Sequence, residues 1–194
     1  MNPYTFIDKL KSKKHLLLVY DDPTFAKMIQ FRFINNGLTK DEHCIFLTHG
    51  KPKDAEEEMK KFGINVEHFK KRKILHIYPI PNPVEHYHSI SEGADDILKL
   101  AISDSEPPYR VVARLVPNVE TEEAMAIQGY FEQKFHNTTF DNFNGSVLCS
   151  YDFSEIKSNN NWQQWLNHLY DCHNASIVPD KSGQYLVTNF NNGH

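Results

Sequence analysis

The chain has 194 residues, of which 40% are hydrophobic and 24% charged, and its formal net charge is −4. That length gives room for one domain with a full core, and the composition is that of an ordinary globular protein. A net acidic chain is a poor general polyanion binder, so no nucleic-acid partner is expected. No apolar run approaches the ~18 residues of a membrane span, so no membrane partner is expected either.

Residues 1–14 read as a short leading segment with a helical turn or two. They lack the apolar core of a signal peptide, which makes a cytoplasmic location the expectation. His15–Tyr20 then reads as a strand, Pro23–Asn36 as a helix and His43–Thr48 as a second strand: one βαβ unit of parallel neighbours. Asp22 is placed to cap the helix and Pro23 suits its first position. Gly37 is expected as the C-terminal cap. The first strand-to-helix turn of an α/β protein is where backbone N–H groups converge on a phosphate. Here that turn is Tyr20-Asp21-Asp22-Pro23-Thr24, with no glycine, two acids and a proline that lacks an N–H. The place suits a nucleotide and the chemistry does not.

A helix over residues 51–62 follows, with Ala55, Met59 and Phe62 on one face and Gly63 at its end. A turn or short helix over 66–71 leads to a third strand, Ile74–Tyr78, and Pro79, Pro81 and Pro83 then break regular structure. A helix is expected from Val84 or Ser89 to Ser103. Tyr109–Val116 is the fourth strand, Thr121 the cap of a helix lined by Ala124, Ile127, Phe131 and Phe135, and Gly145–Tyr151 the fifth strand. Trp162, Trp165, Leu166 and Leu169 mark one more helix face. Two short strands, Ala175–Val178 and Gln184–Thr188, close the chain before a frayed tail over 189–194. The alternation predicts a single domain over 1–194: a three-layer α/β sandwich with a mostly parallel sheet and antiparallel edge strands at the C-terminus.

Three stretches carry a resemblance. His15-Leu-Leu-Leu-Val-Tyr20, Phe31 to Leu38 with Glu42 to Phe46, and Leu148-Cys-Ser-Tyr-Asp152 followed by Leu169 to Val178 with His173 resemble the MEDS family, the methanogen/methylotroph DcmR sensory domain. The resemblance marks His15 and Tyr20 as family signature positions. It implies a KaiC-type, RecA-like fold without its phosphate loop, and a role in signal input. On that pattern the ATPase lysine falls near Ala26, the metal-organising acid is replaced by Arg110 to Arg114, and the catalytic acids by Thr48-His49-Gly50-Lys51. No catalytic residue and no cofactor are therefore assigned. The expected function is a non-catalytic module that binds a small molecule or a protein partner. The alternatives are a divergent nucleotide-binding enzyme and a scaffold subunit for KaiC-like partners.

Open α/β sheets bind ligands in the crevice at the carboxyl ends of their strands. The expected ligand site is thus Tyr20, Asp21 and Asp22 after the first strand, Thr48 and His49 after the second, and Tyr78 after the third. Arg114 joins it from the fourth, and Tyr151 and Asp152 from the fifth. Arg114 either clamps an anionic group or pairs with Asp21, Asp22 or Glu120. His15, at the other end of its strand, either caps it or binds and senses. No metal site is expected: His86-x-His88 is the one close histidine pair and reads as solvated, and Cys44, Cys149 and Cys172 read as free thiols. Lys70 to Lys73 reads as a solvated helix end. Self-association to a homodimer is expected, with Tyr87, Tyr130 and Phe140 as aromatic anchors.

Overall fold

A computed structural model describes residues 1–10, 13–82, 96, 99, 102–103 and 105–189. The histidine pair at 86 and 88, Tyr87, nearly all of the helix expected before Ser103, and the tail beyond 189 lie outside the described residues.

Seven strands form one sheet: β1 (His15–Tyr20), β2 (His43–Thr48), β3 (Leu75–Pro79), β4 (Tyr109–Ala113), β5 (Gly145–Asp152), β6 (Ala175–Pro179) and β7 (Tyr185–Asn189), in the order β3-β2-β4-β5-β1-β6-β7. All pairings are parallel except β6 with β7, as the alternation of apolar strands and helices dictates. β1 lies between β5 and β6, with Leu17 opposite Cys149 and Ser176.

The side-chain period of two splits each strand between two cores. Leu16 and Leu18 join the helices α1 (Pro3–Asp8), α2 (Pro23–Leu38), α3 (Pro52–Lys61) and α4 (Val66–Lys71) on one face. Leu17 and Val19 join α5 (Glu122–Lys134), α6 (Phe153–Lys157) and α7 (Trp162–Asp171) on the other. Asp22 accepts a hydrogen bond from the Thr24 N–H at 2.8 Å and Thr121 one from the Ala124 N–H at 3.1 Å, so both expected caps are present.

Gly37 differs from expectation. The helix continues through it to Leu38, and Asp41, at φ 60, takes the left-handed position in the turn instead. What requires glycine is proximity: a Cβ at Gly37 would lie 2.7 Å from both Arg110 Cδ and Cys44 Sγ. Gly63, at φ +100, does end α3 as expected. β4 stops at Ala113, three residues short of the sequence reading, because Arg114 leaves the ladder to pair with Glu155 of α6. The short α6, a five-residue π turn (Phe135–Thr139) and a 3₁₀ turn (Phe140–Asn142) carry no periodic signal and were not foreseen.

Candidate functional site

Neighbouring strands β1 and β5 send their chains to opposite faces of the sheet, β1 into α2 and β5 into α6. Such a divergence opens a crevice at the carboxyl edge. A groove of about 670 Å³ lies there, with Asp21, Asp152, Phe153, Lys157, Trp162 and Lys181 among its walls. Phe153 and Trp162 meet edge to face at 5.8 Å, and Lys157 Nζ sits 4.0 Å above the Phe153 ring. The wall is thus an aromatic surface flanked by charges of both signs.

The turn between β1 and α2 is occupied by a side chain of the protein itself. The Tyr185 hydroxyl, from the edge strand β7, accepts the backbone N–H groups of Asp21 and Asp22 at 3.2 and 3.3 Å and donates to the Asp21 carboxylate. Its ring stacks on Phe25 at 3.6 Å. These are donors that a phosphate would otherwise take. Burial, and then the Asp21 carboxylate beside it, push the Tyr185 phenol up to about 12, so it stays a neutral donor. The first N–H groups of α2 and α6 are in turn capped by the carboxylates of Asp22 and Asp152.

A second polar group lies in the interior, beneath α5 and α7. His15 on β1, Cys149 on β5, Glu132 on α5 and His173 in the turn before β6 are all buried, and one donor-type atom from each lies within 4.8 Å of the others. The Nδ1 of His15 donates to the Cys172 carbonyl at 2.8 Å, and the Nδ1 of His173 to the Leu169 carbonyl at 2.6 Å. Carbonyls only accept, so both Nδ1 atoms carry the proton and both Nε2 atoms turn inward. Glu132 Oε1 is held by Gln128 and by the Tyr151 hydroxyl, which leaves Oε2 facing His15 Nε2 at 3.2 Å, His173 Nε2 at 3.6 Å and Cys149 Sγ at 3.6 Å. His15 Nε2 to Cys149 Sγ is 3.5 Å. Phe135 and Phe140 pack on the His15 ring at 5.0 and 5.5 Å and shut out water.

Electrostatics follow from this packing. Burial disfavours charge on Glu132, Cys149 and His173. It pushes the Cys149 thiol well up, helped by Glu132, and the His173 imidazole down to about 3, helped by His15. Burial alone would raise Glu132 as well, but the two imidazoles and the Tyr151 hydroxyl outweigh it and hold the carboxyl below the usual range.

Residues 14–173 match the family described as "MEDS: MEthanogen/methylotroph, DcmR Sensory domain". The chain belongs to the MEDS family. Among solved structures it is similar to a KaiC-like protein from the hyperthermophilic archaeon Pyrococcus horikoshii, at 15% identity and a TM-score of 0.62, covering 92% of this chain and 80% of that one. At that identity the likeness shows the fold. No curated protein sequence matches significantly. The family is one of sensory domains, and in this MEDS chain His15 and Cys149 meet in the interior.

The residues expected to share one crevice divide into three groups. Asp21 and Asp152 line the groove, with the Asp22 cap beside it. Tyr151, wholly buried, belongs to the interior group instead, because position 151 shares its strand face with Cys149. At the ends of β2, β3 and β4, Thr48 accepts the Gly50 N–H, His49 bonds the Arg114 carbonyl at 2.9 Å, and Tyr78 lies 3.2 Å from His76. Arg114 pairs with Glu155 at 3.0 Å and donates to the Pro117 carbonyl, so its partner is none of the three acids weighed from sequence. Tyr20 lies between these groups: burial raises its hydroxyl against the opposing pull of Arg114, with Asp152 adding to the rise. Of the aromatic anchors, Tyr130 is exposed and Phe140 is buried against His15.

Glu132 and Gln128 were missed, yet a signal for them exists. They fall at i+8 and i+4 from Ala124, inside the apolar stripe that ends in Phe131 and Phe135. An acid within an inward stripe demands a buried partner. Trp162, on the expected helix face, packs partly against the core and also stands at the groove wall.

Proposed function

We propose that this MEDS domain is a non-hydrolytic signal-input module that binds a small, partly apolar molecule with a polar handle in the groove at the ends of β1, β5 and β6. The observation that carries the reading is Tyr185, whose hydroxyl uses the N–H groups of the turn where a RecA-like protein would hold phosphate. Capping of α2 by Asp22 adds a negative charge at the same place. A triphosphate would have to expel the phenol and face two carboxylates. The Phe153–Trp162 wall, with Lys157 and Lys181 beside Asp21 and Asp152, suits an aromatic or aliphatic body with a small charged end.

Calorimetric titration with Mg·ATP tests the first half: the expected result is no binding tighter than about millimolar, near −4 kcal/mol. Micromolar binding with turnover would overturn the reading in favour of a divergent ATPase. For the second half, a thermal-shift screen of small organic acids and amines should find a stabilising ligand whose effect is lost in Trp162→Ala. The output passes to a protein partner or a second copy, with the exposed Tyr130 as one anchor. Light scattering at high concentration should exceed the 22.6 kDa of the single chain.

A further inference from the structure

We propose that His15, Glu132, Cys149 and His173 form a closed, four-ligand site for a divalent metal ion of the zinc class. Three independent features of the interior group lead there.

The first is geometry. Zinc bonds of about 2.0–2.1 Å to nitrogen or oxygen and about 2.3 Å to sulfur, set at the tetrahedral angle, place donor atoms roughly 3.3–3.6 Å apart. Four of the six edges between the donors here are 3.2 Å (His15 Nε2 to Glu132 Oε2), 3.5 Å (His15 Nε2 to Cys149 Sγ), 3.6 Å (Cys149 Sγ to Glu132 Oε2) and 3.6 Å (His173 Nε2 to Glu132 Oε2), and the two from His173 Nε2 to His15 Nε2 and Cys149 Sγ are within 4.8 Å.

The second is direction. Metal-binding histidines give their other ring N–H to a carbonyl or carboxylate, which fixes the tautomer and aims the free nitrogen. Both histidines do this through Nδ1. Glu132 is likewise oriented by Gln128 and Tyr151 on its far oxygen. What remains in the middle is two imidazole nitrogens and a carboxylate oxygen, with the Cys149 thiol as the donor among them, to Glu132 Oε2 at 3.6 Å. His173 Nε2 is fully buried with no hydrogen-bond partner, and it lies 3.6 Å from a carboxyl oxygen of Glu132. A proton on His15 would satisfy His15 and Glu132 and leave His173 as it is. A cation between the four satisfies all of them.

The third is charge. With Cys149 as thiolate and Glu132 as carboxylate, two negative charges and two neutral imidazoles meet a doubly positive ion, and the sum is zero. A neutral ensemble avoids the desolvation penalty that would expel a bare charge from this position. Binding displaces the Cys149 proton to solvent, as metal binding to a thiol requires. One soft sulfur with two imidazoles selects zinc-like ions over magnesium or calcium. The shell closes on four protein donors beneath Phe135 and Phe140, so the site holds its ion rather than presenting it to a substrate.

The inference does not depend on the groove. Ligand titrations test the groove, and metal content tests the interior, so either can fail alone. The full chain, purified under reducing conditions without chelator, should carry about one equivalent of zinc by mass spectrometry. Apo protein titrated with cobalt(II) should develop the visible bands of four-coordinate cobalt and a thiolate charge-transfer band in the near ultraviolet. Cys149→Ser should lose the charge-transfer band, while Cys44→Ser, on the opposite face of the sheet, should retain it. His173→Asn should weaken cobalt binding by about tenfold or more. A folded wild-type chain, judged by circular dichroism, that carries no zinc and gives no tetrahedral cobalt spectrum overturns the proposal. So does a charge-transfer band that survives Cys149→Ser. The wild-type titration needs no variant to fold.

Discussion

Two buried polar groups lie on opposite faces of one sheet. On the face of α2, Arg110 on β4 makes a bidentate pair with Glu42 at 2.6 and 2.9 Å, reaches Asn36 Oδ1 at 3.2 Å, and lies over the Phe33 ring at 4.9 Å. On the face of α5, Glu132 meets two histidines and a thiol. Both are surrounded by apolar side chains, and both involve an acid from outside the strands. In the first, a donor with five N–H groups meets acceptors. In the second, the Cys149 thiol donates to Glu132 and the His173 Nε2 is left without a hydrogen-bond partner. Burial by itself therefore does not mark a site. A buried group with its hydrogen bonds made is architecture, and the group that leaves the His173 nitrogen unpartnered is the one where we propose a cation.

That contrast can be broken by mutation. Glu42→Ala strands the Arg110 guanidinium in the core and should cost about 3 kcal/mol, read as a lower urea midpoint. Gly37→Ala presses a methyl against Arg110 and Cys44 and should cost about 1–3 kcal/mol by the same measurement. Glu132→Gln in chelated protein should change stability by less than about 1 kcal/mol, because the new amide N–H groups can donate to the histidine Nε2 atoms. A loss as large as that of Glu42→Ala would show that the interior group is an ordinary ion pair.

The smallest effect is one of pH, and it comes from a residue that belongs to neither group. His43 on β2 is held below its ordinary 6.5 by burial first and then by His76, against a weaker pull from Glu106. A histidine depressed in the folded state binds its proton more readily when unfolded. Its contribution is complete above pH 6.5 and is lost as the pH falls below it. The urea midpoint of the wild type should therefore drop more between pH 7 and pH 5.5 than that of His43→Gln.

Much of the fold is legible in the sequence because it is periodic. Alternation placed all seven strands within a few residues, and the caps at Asp22 and Thr121 follow from side-chain chemistry. Gly37 misled because a glycine after an apolar stripe looks the same whether it turns the chain or makes room for Arg110 from another strand. The site was legible only in part. His15, Cys149 and His173 stood in the stretches that carried the MEDS resemblance, but they are spread over most of the chain and only the sheet order brings them together. Tyr151 was assigned to the wrong place because strand ends were counted without regard to which face each side chain takes. Nothing in residues 184–189 announces that Tyr185 will reach the first turn.

The position of β1 has a consequence for how the molecule comes into being. The first strand of the chain is flanked by β5 and β6, which are near the end of it. As the chain leaves the ribosome, β2, β3 and β4 can pair among themselves, while β1 must wait with its four-residue apolar run (Leu16 to Val19) unpaired until residues 145–177 emerge. Such distant pairings close slowly and expose sticky strand edges meanwhile. The same closing event brings His15 to Cys149 and His173. Insertion of β1 between β5 and β6 and assembly of the interior group are thus one step.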